Sequence, residues 1–148
     1  MAMDMDERWV NRSPEVMLET FHWFRGEGFG TIVEDLLRIP KETGVIVEGF
    51  RLLPRLVKPL LAVPTQAVWL LPTPAFRWAA FDRQGSAWGF LQNTSNPERA
   101  LRNLLERDRM FTGRLHEETT RLELPIIEVD TMMTEDDLAE RVAEAFRA

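Results

Sequence analysis

The sequence predicts an α/β domain, a parallel sheet flanked by helices, and three observations carry that prediction. Short runs rich in β-branched and apolar residues occur at Val45–Val47, Gln66–Leu71 and Pro125–Asp130, each bounded by Gly, Pro or a carboxylate. Such runs suit strands buried on both faces. Segments with helical spacing separate them, and strands that alternate with helices over roughly the last hundred residues read as parallel strands with helical crossovers. No internal repeat is present.

The chain has 148 residues, 45% of them hydrophobic, which is enough for one core and predicts a single domain. Charged residues make up 28%, which argues against disorder. The formal charge of −6 disfavours general nucleic-acid binding, because affinity for a phosphate backbone comes from clustered Lys and Arg. There is no cysteine, so disulfides, thiolate metal sites and a cysteine nucleophile are excluded. The opening residues Met1–Glu7 are acidic and lack the basic then apolar order of a signal peptide. No apolar run approaches the ~20 residues that span a bilayer. These features predict a cytoplasmic protein that does not use a membrane.

In chain order, Ser13 and Pro14 start the first helix, Ser13 as cap and Pro14 where a missing N–H costs nothing. Leu18, Phe21, Phe29, Val33 and Leu36 continue the helical spacing, with a kink or break expected near Gly28 and an end before Pro40. The Gly26, Gly28 and Gly30 run lacks a preceding strand and the spacing of a dinucleotide loop, so it reads as the helix break. Gly44 then opens the first strand, Val45–Val47, with Glu48 at its carboxyl end and Gly49 to turn the backbone. Ligands bind at that edge of open parallel sheets, which makes Glu48 a candidate functional residue.

A proline-bounded apolar helix is predicted over 52–61, a second strand over 66–71, and a helix over 75–83 that carries Arg77 near its start. Residues 84–96 read as a polar loop, interrupted by Trp88, Phe90 and Leu91, which are expected to pack back onto the body. A long helix begins after Asn96 and runs to about Leu122, with Leu101, Leu104, Leu105, Phe111, Leu115 and Leu122 as its core stripe. Asp108 falls in that stripe, so either an arginine reaches it or that part of the helix faces a polar cleft. Six arginines between Arg99 and Arg121 face five acids, which reads as a solvated face laced with ion pairs or as a phosphate clamp. A third strand over 125–130 leads to a final helix from Thr134, where Thr134 and Asp137 approximate a capping box.

Val45-Ile46-Val47-Glu48-Gly49-Phe50-Arg51 resembles the strand and Asp-Gly-Phe-Pro-Arg turn of adenylate-kinase-like enzymes. The order of the remaining segments is similar to that of P-loop small-molecule kinases, with a lid-like segment at about 84–110 and an arginine-rich helix that carries Glu106-Arg107-Asp108-Arg109 and Arg114-Leu115. Glu48 stands where the family has aspartate, and no proline separates Phe50 from Arg51. No GxxxxGK[ST] occurs, the loop that cradles the nucleotide phosphates and Mg²⁺. The resemblance therefore implies a kinase-like domain without its first strand and P-loop. Two readings stand: part of a longer kinase, or a protein that does without the cradle.

For a kinase, the resemblance implies ATP and Mg²⁺ as cofactors and a small-molecule acceptor. Glu48 would hold Mg²⁺ through water or act as base, with Arg107 and Arg109 as catalytic neutralisers of phosphoryl charge. Arg51 and Arg77 would bind the acceptor, and Arg114, Asp130 and Thr131 the nucleotide. The structural alternatives are a helix cap or an Arg51 ion pair for Glu48, and surface pairing for Arg77. His22 and His116 lie far apart with no clustered metal ligands, and no Gly-x-Ser-x-Gly is present for a serine hydrolase. The competing class is a kinase-like remnant that associates with itself, as a homodimer, or with another protein.

Overall fold

Two strands form the sheet, β1 (Trp69–Pro72) and β2 (Ile126–Val129), paired in parallel with Trp69 opposite Ile126 and Pro72 opposite Val129. The computed structural model describes residues 3–83 and 89–148. The helices are α1 (Pro14–Thr20), α2 (Phe29–Leu37), α3 (Pro54–Val57), α4 (Pro74–Arg83), α5 (Pro97–Arg121) and α6 (Glu135–Arg147). A π-helical turn covers Glu7–Asn11, and short 3₁₀ turns lie at His22–Arg25, Lys58–Leu60, Pro64–Gln66 and Gly89–Asn93. The protein is thus a mixed α/β structure, mostly helical, with a small parallel sheet flanked by helices.

The 25-residue helix α5, about 37 Å long, is the element on which the others assemble. Asn96 caps it by accepting the Arg99 N–H at 3.1 Å, and Pro97 occupies its first turn. At the other end Glu123 takes the left-handed conformation (φ 56°) that glycine normally fills. The Leu124 N–H then donates to the Thr119 carbonyl at 2.9 Å, and Leu124 is buried against Trp69 and Leu71.

Three apolar clusters are strung along this helix. Ala100 and Leu104 pack with Val10 and Leu91 at its start, Phe111 packs with Leu18 and Leu53 at its middle, and Leu115 meets the β1 cluster near its end. Leu91 is buried and Phe90 lies 5.4 Å from the Trp9 ring, so these loop residues pack back onto the body as the sequence predicts. Trp88, Gly85 and Ser86 lie outside the described residues. Helix α3 docks on the far end of α5, where the Glu118 carboxylate accepts the Arg55 N–H at 2.8 Å and Lys58 Nζ donates to the Leu122 carbonyl at 2.5 Å.

Several predicted elements recur with altered bounds. The helix expected from Ser13 to Pro40 is broken from Phe21 to Gly28, because Gly26 (φ 93°) and Gly28 (φ 84°) both turn left-handed. The helix expected over 52–61 is a single α-turn extended by the 3₁₀ turn at Lys58–Leu60. Thr134 and Asp137 form the predicted capping box of α6.

One predicted element is absent. Val45–Val47 is not a buried strand: the segment has no regular secondary structure, and its residues are 46%, 92% and 40% exposed. A strand requires a neighbouring edge to satisfy its backbone groups, and among the described residues this segment pairs with neither outer edge of the β1–β2 sheet. The two strands that do form also alternate in burial, with Leu70 and Glu128 exposed, rather than being buried on both faces.

Candidate functional site

The carboxyl end of β1 opens into a cleft of about 740 Å³, bounded by the start of α4 and one face of α5. Its position follows from local chemistry. The Thr73 N–H extends the ladder by donating to the Val129 carbonyl at 2.9 Å, and the Thr73 hydroxyl accepts the Phe76 N–H at 3.1 Å. Thr73 therefore ends the strand and caps α4 in one residue, and Pro74 starts the helix without losing a bond. Arg77 and Trp78 follow within one turn and line the cleft.

Helix α5 supplies the opposite wall through Arg102, Leu105, Glu106, Arg109, Thr112 and His116, spaced three or four residues apart on a single stripe. Glu128 of β2 completes it. The wall near the sheet, Leu71, Pro72, Pro74, Trp78 and Leu105, is apolar, so the cleft pairs a greasy surface with a row of guanidinium groups.

The ion pairs are unevenly shared. Arg109 makes two hydrogen bonds to Glu106, at 2.6 and 2.8 Å, and these hold the Glu106 carboxyl below its ordinary range and raise Arg109. Arg102 lies 3.5 Å from Glu98, with both side chains largely exposed. Asp108 serves two cations: Arg107 grips Oδ1 through Nε at 3.0 Å and Nη2 at 2.8 Å, and Arg77 Nη1 donates to Oδ2 at 3.1 Å. An arginine does reach Asp108, one of the two arrangements the sequence allowed. Two guanidiniums on one carboxylate leave a positive charge that Asp108 does not balance.

The structure brings only some of the sequence candidates together. Arg77 and Arg109 line the cleft. Arg107 does not; its side chain is 11% exposed, and its guanidinium carbon sits 5.6, 5.1 and 5.2 Å from the ring centres of Trp9, Phe21 and Phe24. Arg114 pairs with Glu19 on the surface, and that guanidinium holds the Glu19 carboxyl below its ordinary range. Arg51 lies over the Trp23 ring at 3.9 Å. Glu48 is exposed in the irregular segment after Val47 and, without a strand there, marks no sheet edge. Asp130 lines a separate acidic groove with Asp137, Glu140 and Glu144, and its Oδ1 accepts the Met132 and Met133 N–H groups. Thr131 is exposed beside it.

No protein-family model, curated protein or solved structure matches this chain. Among the described residues no group of three or more His, Asp or Glu side chains is placed to hold a metal ion, and no helix is long and apolar enough to cross a membrane. The cleft offers guanidinium donors for a phosphate or carboxylate, whereas the sequence holds no Walker loop to cradle nucleotide phosphates and Mg²⁺. Sequence reading did not assign Trp78, Arg102, Thr112, His116 or Glu128 to a site. The α5 stripe at positions 102, 105, 109, 112 and 116 was a usable signal; the approach of Trp78 and Glu128 was not.

Proposed function

We propose that this chain is the acceptor side of a kinase-like protein, binding a small anionic molecule in the cleft between β1, α4 and α5 for phosphoryl transfer from a nucleoside triphosphate. The observation that carries the reading is the position of the cleft, at the carboxyl end of a parallel strand pair with Arg77, Arg102 and Arg109 on its walls. Parallel α/β sheets bind ligands at that edge, and the planar fork of arginine matches phosphate and carboxylate oxygens. The likeness of the arginine-rich helix α5 to that of P-loop small-molecule kinases supports the same reading. The sequence holds no phosphate cradle for the donor, so no transfer step is assigned to these residues. Arg77 and Arg109 bind and orient the acceptor, and the apolar wall excludes water from it.

A melting series tests this directly, because a ligand that binds only the folded state raises its stability. Millimolar inorganic pyrophosphate is expected to raise the melting temperature, and the Arg77→Ala, Arg109→Ala double variant is expected to lose that rise. No shift in the wild-type chain with pyrophosphate overturns the anion site. The same series with Mg-ATP asks whether the nucleotide binds this chain.

A second reading is favoured by the exposure of Val45, Ile46, Val47 and Phe50. An uncharged β-branched run with an open backbone pairs readily with another strand, which suits a non-catalytic association module. Sedimentation across a concentration range separates the two: association abolished by Ile46→Lys, with no response to pyrophosphate, selects the module.

A further inference from the structure

We infer that Asp108 is the residue that positions Arg77 for anion binding, and that Arg107 with its aromatic surround is the anchor that holds Asp108 still. This rests on the reading of the cleft as an anion site.

The two oxygens of Asp108 do different work. Oδ1 is gripped by two donors of Arg107, the neighbouring residue on α5, and Oδ2 takes one donor of Arg77 from α4. Arg107 is itself immobilised, almost fully covered and flanked by Trp9, Phe21 and Phe24 from the amino-terminal turns. Asp108 is 13% exposed, so its carboxylate cannot relax toward water when a partner moves. Arg77 is the outer member of the chain at 32% exposure, and its Nη2 also approaches the Thr112 hydroxyl at 3.5 Å. Among the described residues its Nε carries no hydrogen bond.

This arrangement holds the guanidinium through Nη1 on Asp108, with Nη2 beside Thr112, while the residue lines the cleft. A guanidinium held in advance loses less freedom when it takes an oxyanion. The charge count agrees: Arg107 already neutralises Asp108, so the positive charge of Arg77 is available to a ligand.

Coulombic and positional roles make opposite forecasts, which gives the test its edge. Removing the negative charge with Asp108→Asn makes the cleft more positive, and by charge alone pyrophosphate would bind more tightly. Positioning forecasts the reverse. Titration calorimetry of the full chain with inorganic pyrophosphate, well below the melting temperature, is expected to show roughly tenfold weaker binding for Asp108→Asn, the worth of one charge-assisted hydrogen bond. In an Arg77→Lys background the same change is expected to have no further effect. Affinity equal to or tighter than wild type in Asp108→Asn overturns the proposal. Should that variant fail to fold, Asp108→Glu keeps the charge but displaces the carboxylate by a methylene. It is likewise expected to weaken binding, and wild-type affinity there overturns the proposal.

A ligand-free measurement separates this inference from the reading of the cleft. The ¹⁵Nη–¹Hη resonance of Arg77, whose Nη1 carries the Asp108 bond and which is assigned by its loss in Arg77→Lys, is expected to move toward that of a free surface arginine in Asp108→Asn or Asp108→Glu. If wild type binds no pyrophosphate, the anion site falls and this resonance alone decides the positioning. An unmoved resonance overturns it.

Discussion

The indole Nε1 of Trp69 donates to the Leu52 carbonyl at 2.9 Å, which ties the first residue of β1 to the chain just after the exposed Val45–Phe50 segment. This bond, between residues 17 apart, is partly buried. It lets one side chain both fill the core and satisfy a backbone oxygen that no strand ladder reaches. Trp69→Phe removes the donor, leaving that carbonyl unpaired, and also replaces the buried bicyclic ring by a smaller one. The expected cost is about 1–2 kcal/mol, read from the urea midpoint at unchanged slope.

Ile46 tests the correction to the predicted sheet. At 92% exposure, Ile46→Lys is expected to change stability by no more than about 0.5 kcal/mol. In a strand buried on both faces the same lysine would leave an unpaired charge inside and unfold the domain. Urea denaturation of this variant decides between the two.

Gly26 adopts φ 93°, and a Cβ built there would lie 2.6 Å from Leu56 Cδ1. Gly26→Ala therefore meets both a strained backbone and a side chain packed beneath the turn. A loss of more than about 1 kcal/mol is expected. Gly30, where a Cβ would meet nothing, is the control: Gly30→Ala in α2 is expected to be neutral or stabilising.

Glu123 occupies a left-handed position without being glycine. Glu123→Gly removes the Cβ penalty at the end of α5 and is expected to stabilise by about 0.5–1 kcal/mol, after the added flexibility of the unfolded chain is counted. Thermal melting checks the sign.

Asp6 accepts the Ser95 N–H at 2.7 Å, joining the amino-terminal turn to the approach of α5, and that bond holds its carboxyl below the ordinary aspartate range. With the folded value depressed, the contribution to stability is present above the unfolded value and is lost as pH falls through the folded one. Carboxyl ¹³C titration is expected to place the Asp6 midpoint below that of an unstructured aspartate. Asp6→Asn is expected to flatten the acid limb of the stability profile.

What could be read along the chain was whatever depends on neighbours a few residues away. Asn96, Thr134 and Ser13 cap helices because a short polar side chain reaches the N–H two or three residues on. Gly26 and Gly28 break a helix because only their backbones turn left-handed cheaply. The alternation of apolar runs with helical stripes announced three parallel strands with helices around them, of which the runs at 66–71 and 125–130 formed the sheet, and the ridge of arginines on α5 was visible as spacing.

Tertiary structure decided which apolar run found a partner edge and where each arginine went. Val45–Val47 and Trp69–Pro72 carry similar strand propensity, yet only the second has β2 beside it, and a strand without a ladder leaves its backbone to water. Arg77 and Arg107 lie 30 residues apart in sequence and share one carboxylate, while Trp9, Phe21 and Phe24 cover one arginine and the cleft receives the other. No periodicity encodes contacts at that separation, because they depend on how helices pack rather than on how any one of them forms.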